Sequence, residues 1–114
     1  MSFFNSELVR AEMVEISEMQ EEIYGSVFRF PLMTKEDKIE HVILLERLLN
    51  KQQILYTRLS LSDDPEAKEM KKKITDSTQL MGLPTNVDMN VIFNNMTKML
   101  EVMRQQIDKT GSDL

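Results

Sequence analysis

Cysteine is absent from this sequence, and so is tryptophan. Without a thiol there is no cysteine nucleophile, no disulfide and no Cys-ligated zinc site, and cysteine usage leaves the compartment open. A single histidine, His41, argues against histidine-rich metal chemistry. Glycine and proline number 3 each, too few for a turn-rich β fold or a disordered linker protein. The longest aliphatic run, Val42-Ile43-Leu44-Leu45, falls far short of the about 20 residues that a membrane span needs. The opening Met1-Ser2-Phe3-Phe4-Asn5-Ser6-Glu7 has neither the basic stretch nor the apolar stretch of a secretory signal. With serine at position 2 and no cysteine, no lipidation motif is present. The expectation is a cytoplasmic protein with no membrane contact. Positive charge is the scarcer sign, 14 Lys and Arg against 19 Asp and Glu for a net charge of −5. That balance makes nucleic acid an unfavoured partner, because phosphate binding depends on clustered Lys and Arg.

What is present is a chain of 114 residues, 41% hydrophobic and 29% charged. That is one domain, able to bury roughly two-thirds of its unfolded surface. Val9, Met13, Ile16, Gln20, Ile23 and Val27 recur at steps of three and four, with Glu7, Glu15, Glu18, Glu21 and Glu22 opposite them. The spacing predicts an amphipathic helix from about Phe3 to Tyr24, capped by Asn5 or Ser6 and interrupted at Gly25-Ser26. The connector Phe28-Arg29-Phe30-Pro31-Leu32-Met33 is too apolar to hang in water, so both phenylalanines are expected to pack on the flanking helices.

Thr34, with Asp37 three residues on, opens a second helix from about Lys35 to Leu61, roughly 40 Å long. Val42, Leu44, Leu45, Leu48, Leu49, Leu55, Tyr56 and Leu59 make a broad stripe, and Ile43 and Ile54 a narrower second one. A helix apolar on more than one side needs partners on more than one side, so this is the central helix or one shared with a second subunit. Asp64-Pro65-Glu66 caps and starts a third helix, from Pro65 to about Met81, with the thin stripe Ala67, Met70, Ile74 and Met81. Gly82-Leu83-Pro84 reads as its stop. Thr85 with Asp88 begins a fourth, over about 86–109, carrying Met89, Ile92, Phe93, Met96, Met99, Leu100, Met103 and Ile107. The tail from Thr110 to Leu114 is expected to fray. The fold class is all-α: about four amphipathic helices in a small bundle, antiparallel across short connections and completed by dimerisation.

Catalysis finds little support. A di-metal carboxylate site needs two Glu-x-x-His pairs, and the residue three before the sole histidine is Lys38. Glu12, at the edge of the first stripe, reads as a hydrogen-bonded packing residue before it reads as a ligand. His41 has Asp37 one turn earlier, a pairing that would favour its charged form if they touch. Its bland reading is a partly buried histidine beside Leu45 and Leu48. No Gly-x-Ser-x-Gly turn accompanies it, and Gly25, Gly82 and Gly111 are too scattered for a phosphate loop. The expectation is no enzyme, no metal and no cofactor. Lys68, Lys71, Lys72 and Lys73 form the one basic cluster; without interleaved aromatics it reads as a solvated face before an RNA contact.

The 10 methionines are more telling. Methionine fills irregular core gaps and also serves adaptable binding surfaces. Core comes first, but helices this long for so small a chain leave faces uncovered, and self-association as a dimer follows. Leu45, Leu48, Tyr56, Met96, Met99 and Met103 are the candidates for that contact, and Phe28 and Phe30 for a further protein partner. The leading reading is a non-catalytic interaction module. The alternative is a small ligand- or metal-binding bundle with Glu12, His41 and Tyr56 in an interhelical pocket.

The chain also resembles a small all-helical family of unknown function found in cyanobacteria and the phages that infect them. The resemblance lies in Phe3-Phe4-x-Ser6-Glu7-x-Val9-x-x-Glu12 and Gln53-Ile54-Leu55-Tyr56-Thr57-Arg58-Leu59. It continues in Leu61-Ser62-Asp63, Met81-Gly82-Leu83-Pro84 and Met99-Leu100-Glu101-x-Met103-Arg104. The chain departs from the family's pattern at Lys71-Lys72-Lys73 and at Val27 to Leu32. The resemblance implies fold and compartment and a small accessory protein without a cofactor; it supplies no catalytic residues.

Overall fold

A computed structural model describes residues 3–80 and 88–110. They form four α-helices and two short 3-10 helices, with no strand among the described residues. The chain enters through a 3-10 turn, η1 (Phe3–Asn5), and α1 runs Glu7–Ser26. Helix α1 starts later than its hydrophobic spacing suggests because Ser6 is extended and takes the cap, its Oγ accepting from the Val9 N–H at 3.4 Å. Upstream of that cap, the Phe3 N–H donates to the Asp64 carboxylate, which ties η1 to the start of the third helix.

Gly25 and Ser26 do not interrupt α1, contrary to the sequence reading. One glycine costs a helix only about 1 kcal/mol relative to alanine, and the last turn is fastened by the Ser26 hydroxyl, which reaches the carbonyls of Glu22 and Ile23 at 3.3 and 3.2 Å. A Cβ built at Gly25 meets nothing within 4 Å. Gly25→Ala should therefore raise stability by about 0.5–1 kcal/mol, read as a higher urea midpoint at unchanged slope. An unchanged or lower midpoint would mean the glycine is needed for its backbone.

The connector is a second 3-10 helix, η2 (Val27–Leu32), closed by the Met33 N–H donating to the Phe30 carbonyl at 3.1 Å. Then α2 runs Lys35–Leu61, α3 Pro65–Leu80 and α4 Met89–Thr110. The caps of α2 and α3 are those the sequence offers. Thr34 Oγ1 accepts from the Asp37 N–H at 3.2 Å, and Asp64 Oδ1 accepts from the Glu66 N–H at 2.9 Å. At α4 the cap falls to Asp88 itself, whose Oδ1 accepts from the Asn90 N–H at 2.9 Å. The expected stop at Gly82-Leu83-Pro84, the Thr85 start and the frayed tail lie outside the described residues, apart from Thr110 at the end of α4.

Helix α2 is the hub: α1, α3 and α4 each lean on it far more than on one another. Its two sides build two separate cores. Leu48 joins Ile16 and Ile23 of α1, with Met19, Leu44, Leu45 and Leu55 around them. Leu49 joins Met89 and Phe93 of α4, with Tyr56, Ile74, Ile92 and Leu100 around them. Adjacent residues on a helix point about 100° apart, so Leu48 and Leu49 divide the two faces. The second packed side is thus the Leu49–Tyr56 side. Ile54, placed by the spacing on a second stripe, is 40% exposed. Helix α3 joins through its thin stripe: Ala67 is fully buried and Ile74 reaches the second core.

Ion pairs give the directions. Glu12 and Glu15 of α1 pair with Arg58 and Lys51 of α2, while Glu46 and Lys35 of α2 pair with Arg104 and Asp108 of α4. In each couple the numbers rise on one helix as they fall on the other, so both neighbours run antiparallel to α2. Pairs at the surface are worth about 0–1 kcal/mol each; Glu12 Oε2 and Arg58 Nε are instead buried, and the common part of all four pairs is register. The molecule is a flat plate, 52 × 32 × 19 Å, about two helix diameters thick.

Candidate functional site

Two places on this plate are candidates. One is the elbow where α1 passes through η2 into α2. Here His41 is 7% exposed, with Nδ1 3.3 Å from Ser26 Oγ and its ring centroid 5.3 Å from that of Phe30. Ser26 Oγ lies within hydrogen-bond distance of the Glu22 and Ile23 carbonyls as well as of His41 Nδ1. These contacts make Ser26 a link between the end of α1 and α2. The sequence offered Asp37 as the partner of His41; the fold turns the ring to α1 instead, and no ion pair links the two among the described residues.

His41 forms the floor of an open cleft of about 910 Å³, walled by Glu22, Asp37 and Glu40 on one sign and Arg29 and Arg47 on the other. Glu12 and Tyr56 do not share it. Glu12 Oε2 stands 3.1 Å from Arg58 Nε, an ion pair too far out of line for a hydrogen bond. Arg58 lies 17 residues beyond His41, about 25 Å along α2. Tyr56 packs on Phe93 at 5.9 Å between ring centroids, beneath Lys71 Nζ at 5.8 Å. The three residues proposed for one pocket therefore occupy three places. No group of three or more His, Asp or Glu among the described residues stands close enough to hold a metal ion.

The connector phenylalanines also separate. Phe30 is half-buried between His41 and Lys38, whose Nζ lies 5.9 Å from its ring centroid. Phe28 is 92% exposed and Leu32 88%, which corrects the expectation that both rings pack. A 3-10 helix has three residues per turn, so its side chains stack in three edges. Phe30 and Met33, three apart, share the edge turned to the helices, which leaves Phe28 and Leu32 on the other two, while Val27 at the start of the turn is 43% exposed. Phe28→Ser should change stability by less than about 0.5 kcal/mol, while Phe30→Ala should cost about 1–2 kcal/mol from its partial burial, both by urea denaturation. Equal losses would contradict this division.

The second place is the outer flank of α4. Of the residues put forward for self-association, Leu48 is buried in the first core, and Leu45 and Tyr56 are half-buried against the first and second cores. Met96 and Met99 are exposed and Met103 half-buried. Beside them stand Val91 and Val102, both 52% exposed, which the search for threes and fours missed because they fall on the margin of the stripe. A full helical wheel shows them: the apolar arc of α4 covers roughly 200°, and the second core takes its side around Met89, Phe93 and Leu100, with Ile92 at the edge. The lysines of α3 are partly engaged, Lys71 over Tyr56 and Lys73 with Glu69 at 3.7 Å, and Lys68 and Lys72 are exposed. No described helix is long and apolar enough to cross a membrane.

A family model described as a domain of unknown function (DUF1825) matches residues 1–107, and the chain belongs to that family. No curated protein and no solved structure matches it.

Proposed function

We propose that this member of a family without an assigned activity is a non-catalytic helical interaction module that works as a homodimer. Its setting is the cytoplasm of cyanobacteria or of cells infected by their phages, as an accessory or regulatory protein whose partners are proteins rather than nucleic acid or membrane. One observation supports the dimer above all: the single chain is more open than a compact monomer of its size. It exposes 8226 Å², whereas a compact monomer of 13.4 kDa exposes about 6,500 Å². Its radius of gyration is 16.4 Å, against about 13 Å for a compact domain of this length. The excess, about 1,700 Å², is more than the roughly 800 Å² that each partner contributes to a standard stable interface.

The test is light scattering on the purified chain over a wide concentration range. A mass of two chains that persists into the low micromolar range is the expected result. A mass of one chain at every concentration would overturn the dimeric form of the proposal.

The cleft above His41 favours a second reading, a small-ligand-binding bundle, because a nine-tenths buried ring forms its floor. Thermal shifts with a panel of common metabolites and divalent ions separate the two. The interaction module predicts none that His41→Phe abolishes, and the ligand-binding bundle predicts at least one.

A further inference from the structure

We infer that the outer flank of α4 pairs with the same flank of a second copy of this chain, antiparallel, with the two-fold axis beside Met99. This rests on the self-association reading above and adds to it the surface and the geometry. At 100° per residue, an arc of roughly 140° on α4 holds Val91, Met96, Met99, Val102 and Met103 together with Ile92. Its polar members are the uncharged Asn95, Gln106 and, at the helix end, Thr110. Lys98, Glu101, Arg104 and Asp108 fall on the remaining arc, and Lys109 alone, in the last turn, reaches the margin. Depletion of charge with enrichment of methionine marks the centre of protein interfaces.

The occupant is a second copy on three grounds. The excess surface is more than the roughly 800 Å² that one chain gives up in a standard dimer. The seam is self-complementary: Ile92, Asn95, Met99, Val102 and Gln106 follow alternating steps of three and four, the repeat that keeps one helix face on a partner. Met99 lies at the middle of that run, so a two-fold axis there sets Met96 against Val102 of the partner subunit, methionine against valine on both sides. Lastly, two chains of net charge −5 repel, and the uncharged seam is where they meet at least cost. The elbow does not qualify, because its exposed Leu32 borders a cleft that also holds the charged Glu22, Asp37 and Glu40.

The absence of cysteine makes the test clean. Single variants Met99→Cys, Val91→Cys and Glu101→Cys are oxidised under mild conditions, and each is also weighed by sedimentation in its reduced form. An antiparallel pair about Met99 holds the two copies of position 99 within disulfide reach, while the copies of position 91 stand about 24 Å apart, beyond the roughly 7 Å Cα limit. Met99→Cys should give at least tenfold more cross-linked dimer than either of the others. Reduced variants that are dimers, with no Met99→Cys cross-link or with Val91→Cys cross-linking equally, would overturn this geometry and leave the dimer standing. Monomers throughout, wild type included, would remove both. Should Met99→Cys not fold, a mixture of Met96→Cys and Val102→Cys carries the same test, because the two positions face each other across the axis.

Discussion

Leu59→Ala should cost about 3–4 kcal/mol of stability. Leu59 is 1% exposed and, with Val42, is one of the two largest wholly buried side chains. It stands near the end of α2, the helix on which the other three depend, and its carbonyl accepts the Ser62 N–H that closes that helix at 3.3 Å. Truncating a buried leucine loses the transfer free energy of three carbons and leaves a cavity that a close-packed neighbourhood fills only in part, for about 2–5 kcal/mol in all. The upper half of that range fits here, because α2 is covered from several sides and no single helix can collapse into the space. With total stabilities of about 5–15 kcal/mol, the loss is a large fraction of the whole. Leu61→Ala is the control: Leu61 is 80% exposed two residues later and should cost less than about 0.5 kcal/mol. Urea unfolding of both variants at one protein concentration measures the difference. A Leu59→Ala loss below about 1 kcal/mol would mean that α2 is not the hub.

Met99→Glu should leave a folded chain and weaken the dimer at least 100-fold. The side chain is 69% exposed in the single chain, so a carboxylate there stays hydrated and the fold loses little. Beside a two-fold axis the same change acts twice. It removes two apolar side chains worth about 1.5–3 kcal/mol each when fully buried, and it opposes two carboxylates that must shed water on association. A loss of about 2.7 kcal/mol is already 100-fold in the dissociation constant. Circular dichroism should show unchanged helicity, with a lower midpoint only at concentrations where the wild type is dimeric, since dimerisation stabilises by mass action. A variant that loses its helicity outright would instead place Met99 in the core.

The helices were plain in the sequence because each has a period and two of them announce their caps through Thr34 and Asp64. The place of α2 was legible in part: its breadth of apolar residues asks for more than one partner, but the spacing put the second stripe at Ile43 and Ile54, and only the packing shows that Leu48 and Leu49 divide the two sides. Gly25 misled, because glycine weakens a helix without ending it: α1 runs through it to Ser26 and passes directly into η2. The elbow was misread for a related reason. Composition says that Phe28 and Phe30 are apolar, but only the threefold turn of η2 says that one faces in and the other out. The candidate surface was half legible. Methionines at helical spacing look alike whether buried or bare, and what divides Met89 from Met99 is how much of α4's arc α2 can cover. Val91 and Val102 were hidden because a search for one stripe stops at its margin.

Sedimentation equilibrium of the wild type beside Met99→Glu, at matched concentrations, tests the central claim most directly. The account predicts twice 13.4 kDa for the wild type and 13.4 kDa for the variant, at equal helicity. Equal masses for the two would contradict it: two monomers would mean that the open plate stands alone, and two dimers that it closes on a face other than α4.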